Sequence, residues 1–319
     1  MLPDPERPRN VFTRHRDNVI YAYTTGSGAL GALEPVAVFR PLPGDEVVES
    51  AVRPDLERAV YTTSNRAVCL TRAGELVWAS DFEPYSDRPH GHRPGCALSS
   101  DGRRVWVYRP DAMAGRGGAD QWVMHDADSG EVLARRELGT AGHGAFHHVH
   151  PVDGSVYLDI GEGQDGAVVL RATPGAGGEP EWVTYPWWDR CLIALAPDGQ
   201  HFMTVHHGQE DVAFHRHPGG EVLFTLPAAA FGYDPDETFV EWSGGYLTRD
   251  TAVVTLGGEG QDGEDWFRHH LVDVRTGTPG DEIAVEVTSP YELVPLGDGS
   301  WLTDGTDGHP VRTRTAPSH

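Results

Sequence analysis

The chain has 319 residues, with 25 basic against 48 acidic side chains and a formal net charge of −23. Its 39% hydrophobic residues, including 9 Trp, 10 Tyr and 10 Phe, can fill a substantial core, which excludes wholesale disorder. Every basic residue is arginine, and without lysine there is no Schiff-base, Walker-A or kinase-type chemistry, each of which needs a lysine amine.

So acidic a chain is a poor match for nucleic acid, whose binding rests on a basic face that releases counterions. A charged ligand is expected to be cationic. Cys69, Cys96 and Cys191 lie far apart with no CxxC pair, so neither a disulfide framework nor a local cysteine zinc site is expected. No apolar run approaches the roughly 20 residues of a transmembrane helix, and the opening MLPDPERPRN lacks the apolar core of a signal peptide. These features predict a reduced, cytoplasmic protein with no membrane partner.

In chain order, the predicted elements are short apolar stretches rich in Val, Tyr, Trp and Thr, divided by turns of Gly, Asp or Pro, with almost no helical periodicity. This is an all-β pattern. The turn after the first strand of each unit centres on Asp17, Asp55, Asp101, Asp153, Asp198, Asp250 and Asp298, at intervals of 38, 46, 52, 45, 52 and 48 residues. The mean is close to the roughly 40–50-residue blade period of WD40 and kelch propellers. Seven marks predict a seven-bladed β-propeller, with six or eight blades as alternatives. It would form a single domain, with blades near 10–44, 45–82, 91–138, 142–185, 190–226, 237–286 and 288–315.

The fifth unit shows the four-strand grammar most plainly, as RCLIALA, HFMTV, DVAFHRH and EVLFTL. Asp-Gly and Gly-Gly at the connections suit tight hairpins that need positive φ. The ends fit less well. EVVESAV could close the first blade or open the second, and the last unit (PYELVPL, SWLT, HPVRTRT) has no evident fourth strand. Ring closure between the termini would supply one, from a strand the sequence leaves open.

From Gly91 to Glu131 the chain reads GHRPGCALSSDGRRVWVYRP and then WVMHDADSGE, which resembles one WD40 repeat. Gly142-His143 echoes its opening, and LVDVRTG, with Asp273, echoes its ending; His125 and Val272 stand where the family prefers Trp. The resemblance implies a propeller that scaffolds protein partners. It also implies that the Gly-His histidines, His92 and His143, serve a structural hydrogen-bond network.

Eight residues after the turn aspartate, three consecutive blades carry a related loop: Gly161-Glu162-Gly163-Gln164-Asp165-Gly166, His206-His207-Gly208-Gln209-Glu210-Asp211 and Gly258-Glu259-Gly260-Gln261-Asp262-Gly263. Each joins the second and third strands of its blade, so all should emerge on the face that carries the connections between blades. Their oxygens could bind a partner or hold a hard divalent cation such as Ca²⁺. Equally, duplicated blades inherit duplicated turns, and Gly there serves the backbone.

Histidine is the other metal-ligand signal, with 17 in the chain. Residues two apart share a strand face, so His148/His150 and His215/His217 could each present two nitrogens to one ion, with His206 or His207 as a third ligand from the next blade's loop and His147 in the same cluster. The competing reading makes them packed, hydrogen-bonded residues. The connection Tyr185-Pro186-Trp187-Trp188-Asp189-Arg190 could be a binding patch, since aromatics and Arg dominate interface hot spots. Alternatively, one Trp wedges between blades while Asp189 and Arg190 pair locally.

There is no GxSxG elbow, HExxH or GxGxxG fingerprint. The sequence therefore favours a module that binds a protein or peptide with a basic region through an acidic, Trp-bearing loop face. The alternative is a metal-dependent small-molecule enzyme, of hydrolase or lyase type, with a His/carboxylate site at the channel mouth. A third reading is a structural module with no ligand of its own.

Overall fold

The computed structural model describes residues 11–26, 28–88, 93–175, 178–260 and 264–314. Their strands form seven antiparallel sheets. The first holds Val11–Arg16, Val19–Thr24 and Ala37–Phe39, and the second runs Glu49–Val52, Arg58–Thr63, Arg66–Thr71 and Leu76–Asp81. The third is Gly95–Leu98, Arg104–Arg109, Gln121–Asp126 and Val132–Glu137; the fourth is Gly144–Val149, Val156–Gly161, Ala167–Thr173 and Glu181–Thr184. Arg190–Leu195, His201–His206, Asp211–Arg216 and Val222–Pro227 make the fifth, and Thr238–Thr248, Thr251–Glu259, Asp265–Asp273 and Thr278–Ile283 the sixth. The seventh consists of Val294–Pro295, Ser300–Asp304, Pro310–Arg314 and, from far upstream, Gly31–Ala32. These are the blades of a seven-bladed β-propeller, with only two short 3-10 turns beside them among the described residues.

The segment that completes the last blade is thus Gly31–Ala32, pairing with Val311 and Arg312, and it falls between the second and third strands of the first blade in sequence. Glu49–Val52 opens the second sheet, which settles where EVVESAV belongs.

Two compact units are present: the described residues of Met1–Gly28, Glu34–His150 and Gly154–Thr184, and those of Ala29–Leu33, Pro151–Asp153 and Tyr185–His319. In the first unit, Trp106, Trp122 and Trp182 form a mutual ring cluster with centroids 4.9–5.8 Å apart, inside a core with Tyr108, Leu158 and Leu170. The second unit packs Met203, Val205, Phe214, Val240, Leu256 and Val272.

Central strands are buried on both faces, and the sequence says why. RVWVYR, QWVMHD, HFMTVH and DVAFHR each place four buried residues between half-buried or exposed ends. A continuous buried run of that length, apolar but for Thr204 and the hydrogen-bonded His125 and His215, is what a strand between two packed layers requires.

The repeated turn aspartates close their hairpins locally. Asp55, Asp101, Asp198 and Asp298 each accept, through Oδ1, the N–H of the residue two ahead at 3.0–3.1 Å. This Asx turn is the physical reason an aspartate recurs there.

A second repeat lies in the turn between third and fourth strands, which is covered by a ring from a preceding outer strand or connection. Trp78 covers Gly130, Tyr185 and Trp187 cover Gly220, and Phe224 covers Gly277. A Cβ at these glycines would come within 2.6, 2.9 and 3.0 Å of the rings. All three glycines have positive φ (75°, 83° and 68°) and donate their N–H back to Asp126, Arg216 and Asp273. Glycine is needed twice over, for conformation and for clearance.

His125, where the WD40 pattern prefers Trp, and His215 of the fifth blade serve this same turn. Each Nδ1–H donates to the carbonyl of its glycine, Gly130 or Gly220, at 3.0 Å. That fixes the neutral tautomer, so His215 Nε2 accepts the Thr204 hydroxyl at 2.8 Å while its ring lies 4.6 Å from Trp187. Burial pushes the His215 pKa down to about 4.

The Gly-His pair differs from the resemblance. His143 is exposed, and the buried member is Gly142, whose N–H donates to Asp120 at 2.7 Å. Asp120, fully buried, also accepts the hydroxyls of Tyr108 and Thr140 and the N–H of Ala112. His92 lies outside the described residues.

Two outcomes follow. Gly130→Ala or Gly220→Ala should lower stability by about 2 kcal/mol or more, read by urea unfolding, from the positive φ alone before any ring displacement. Because the unfolded chain protonates His215 near 6.5 and the folded one near 4, its contribution is complete above pH 6.5 and is lost as pH falls toward 4. The loss is on the order of 3 kcal/mol, seen as a steeper pH dependence of unfolding in the wild type than in His215→Asn.

Candidate functional site

Within the second unit, the connection into the fifth blade, the hairpin 206–210 and a distorted stretch of the sixth blade's first strand interlock. The Thr238–Thr248 strand loses register between Val240 and Gly244, where Gly244 and Gly245 take φ of 125° and 144°. This bulge lifts Glu241, Trp242 and Ser243 out of the ladder. Val240 N–H donates to the Gln209 carbonyl at 2.8 Å, and Trp242 Nε1–H to the His206 carbonyl at 3.3 Å. The hairpin is anchored on its other side by His207 N–H, donating to the Asp189 carbonyl at 2.6 Å.

Inside that frame, His206 accepts Gly208 N–H at Nδ1 (3.1 Å), leaving Nε2 3.5 Å from an Asp189 carboxylate oxygen. Gln209, at φ 59°, reaches Glu241 Oε2 from its amide at 3.4 Å. The Tyr291 hydroxyl also donates to Glu241. Glu241 is half-buried, and burial, reinforced by Asp265, pushes its pKa up against the Tyr291 hydrogen bond. No arginine or histidine ion-pairs with it among the described residues. Its carboxylate occupies space that a Cβ at Gly257 would enter at 2.8 Å.

The surroundings are aromatic and acidic. Trp188 is 69% exposed, Tyr291 53% and Trp242 38%, with the His207 ring 5.9 Å from Trp242. Glu210 is exposed, whereas Arg190 is held by Asp211. The patch therefore joins accessible rings to carboxylates that lack a matching cation.

The two adjacent tryptophans divide the roles weighed from sequence. Trp187 stacks on Tyr185 at 4.7 Å and lies against Phe202 and His215, whereas Trp188 faces solvent. Arg190 pairs with Asp211 and not with Asp189.

The related loops do join second to third strands, but each differs in detail. In the first unit, Glu162 Oε1 accepts Ala141 N–H at 2.9 Å, and Gln164 and Asp165 sit in the 3-10 turn Gly163–Asp165. Glu259 ends its strand opposite Asp265. Gln261 and Asp262 lie outside the described residues.

Of the predicted metal ligands, His147 Nε2 accepts the Trp122 indole N–H at 3.1 Å, and burial pushes its pKa down to about 3. His148 is pushed down to about 4 by the same cause, and His150 is buried at the strand end. These three belong to the first unit, and His206 and His207 to the second. Sequence reasoning missed Glu241, Trp242 and Tyr291; Gly244-Gly245 inside a strand was the signal for the bulge that exposes the first two.

No family model and no curated protein sequence matches the chain. Solved structures do. A chain of the Mitotic Checkpoint Complex superposes with a TM-score of 0.61 at 14% identity, covering 97% of this chain and 85% of that one. BamB from Moraxella catarrhalis gives 0.53 at 14% identity, covering 98% of this chain and 83% of BamB. Dihydro-heme d1 dehydrogenase NirN in complex with DHE gives 0.54 at 14% identity, covering 98% of this chain, which spans only 66% of NirN. At such identity the likeness shows the propeller fold alone. No described helix is long and apolar enough to cross a membrane.

Proposed function

We propose that the chain is a WD40-like propeller module that binds a protein or peptide with a basic region, on the loop face of its fifth and sixth blades. The observation that carries this reading is Trp188, 69% exposed and followed directly by Asp189, beside an interlocked frame bearing Glu210 and Glu241. An exposed indole in a patch whose carboxylates Glu210 and Glu241 have no arginine partner among the described residues favours a cationic, partly apolar partner surface. A net charge of −23 steers such a partner at long range. The free thiols of Cys69, Cys96 and Cys191 support a reducing, cytoplasmic setting. The metal-dependent alternative has less support, because ring nitrogens of His147 and His206 are already engaged.

Retention of peptides of graded charge on the immobilised protein tests the reading. Basic peptides should be retained and acidic ones not, and retention should weaken on raising ionic strength from about 0.05 to about 0.5 M. Trp188→Ala should cut retention about tenfold or more with the melting temperature unchanged, whereas Trp187→Ala should lower stability by about 3 kcal/mol. Retention that is indifferent to charge and to Trp188 would refute the proposal.

A further inference from the structure

We infer that Glu241, with the exposed rings of Trp242 and Tyr291, forms a receptor for an arginine guanidinium of that partner, an inference that rests on the reading above and narrows it. Glu241 is a half-buried carboxylate whose partners, the Gln209 amide and the Tyr291 hydroxyl, are both neutral donors. Such a group keeps the cost of its buried charge without the Coulombic return of a counterion. Of the neighbouring carboxylates, Asp211 pairs with Arg190, and an Asp189 oxygen lies 3.5 Å from His206 Nε2. Glu210 and Asp265 are exposed to water, so among the described residues of this patch Glu241 is the half-buried carboxylate with no ion-pair partner.

The site is also built, not incidental. Gly257 leaves the room that the carboxylate fills, the Gly244-Gly245 bulge raises Glu241 above the sheet, and two hydrogen bonds hold it there. Trp242 is oriented by its bond to the His206 carbonyl. Guanidinium suits this setting better than ammonium. It is planar, offers paired N–H groups to a carboxylate, stacks on aromatic faces and loses less hydration on leaving water.

Fluorescence anisotropy with labelled hexa-arginine and hexa-lysine peptides tests the inference. The wild type should bind hexa-arginine about tenfold more tightly than hexa-lysine. Glu241→Gln, which keeps size and hydrogen-bonding capacity, should weaken hexa-arginine binding about tenfold and erase the preference. Trp242→Leu should weaken it several-fold, and circular dichroism melting would show that both variants fold. Equal binding of the two peptides, or Glu241→Gln indistinguishable from wild type, overturns the guanidinium site. If basic peptides are still retained through Trp188, the broader reading stands without it; if none is retained, both fall.

Discussion

The structure depends on the contact by which an aromatic ring, from an outer strand or from the connection that enters a blade, lies on a glycine in the turn between third and fourth strands. Trp78 over Gly130, Tyr185 and Trp187 over Gly220, and Phe224 over Gly277 repeat this contact, and in each the glycine is required by its positive φ and by the absence of a Cβ. A four-stranded antiparallel sheet cannot bury both faces alone, so the runs RVWVYR and HFMTVH are stable only with neighbours on either side. The ring-on-glycine contact sets how closely a neighbour approaches. At two of these turns, His125 and His215 donate from Nδ1 to the carbonyl of the same glycine and lie against the covering ring.

This rigidity gives the candidate site its character. The loops at the fifth and sixth blades are tied to one another by backbone bonds, His207 to Asp189 and Val240 to Gln209, so the exposed side chains need little ordering on binding. Preorganised aromatic groups lose less entropy when a partner arrives. Trp187 belongs to the scaffold and Trp188 to the surface, a division of labour between adjacent residues that the chain makes at one connection.

Much of the fold is legible in the sequence because the repeated turns are local. The aspartates at 55, 101, 198 and 298 announce hairpins through bonds spanning two residues, and the Val-rich runs between them announce buried strands. The closing strand, Gly31–Ala32, is not legible: two exposed small residues carry no periodicity, and their pairing with Val311 and Arg312 depends on contacts far away in sequence. The site is legible in half. Trp188, Asp189 and Gln209 stand in loops that composition marks, but Glu241 and Trp242 sit in an apparent strand, where only a bulge turns them outward, and Tyr291 joins them through a tertiary bond. His143 shows the converse, since the recognisable pair buries its glycine and leaves its histidine in solvent.

Hydrogen–deuterium exchange of the full chain, with and without hexa-arginine peptide, distinguishes an occupied Glu241 site from an empty one. Exchange should slow at residues 206–210 and 239–243 on addition of the peptide, with the first to third blades unchanged and the effect abolished in Glu241→Gln. Protection confined to other blades, or no protection at a peptide concentration that saturates binding, would contradict an occupied Glu241 site.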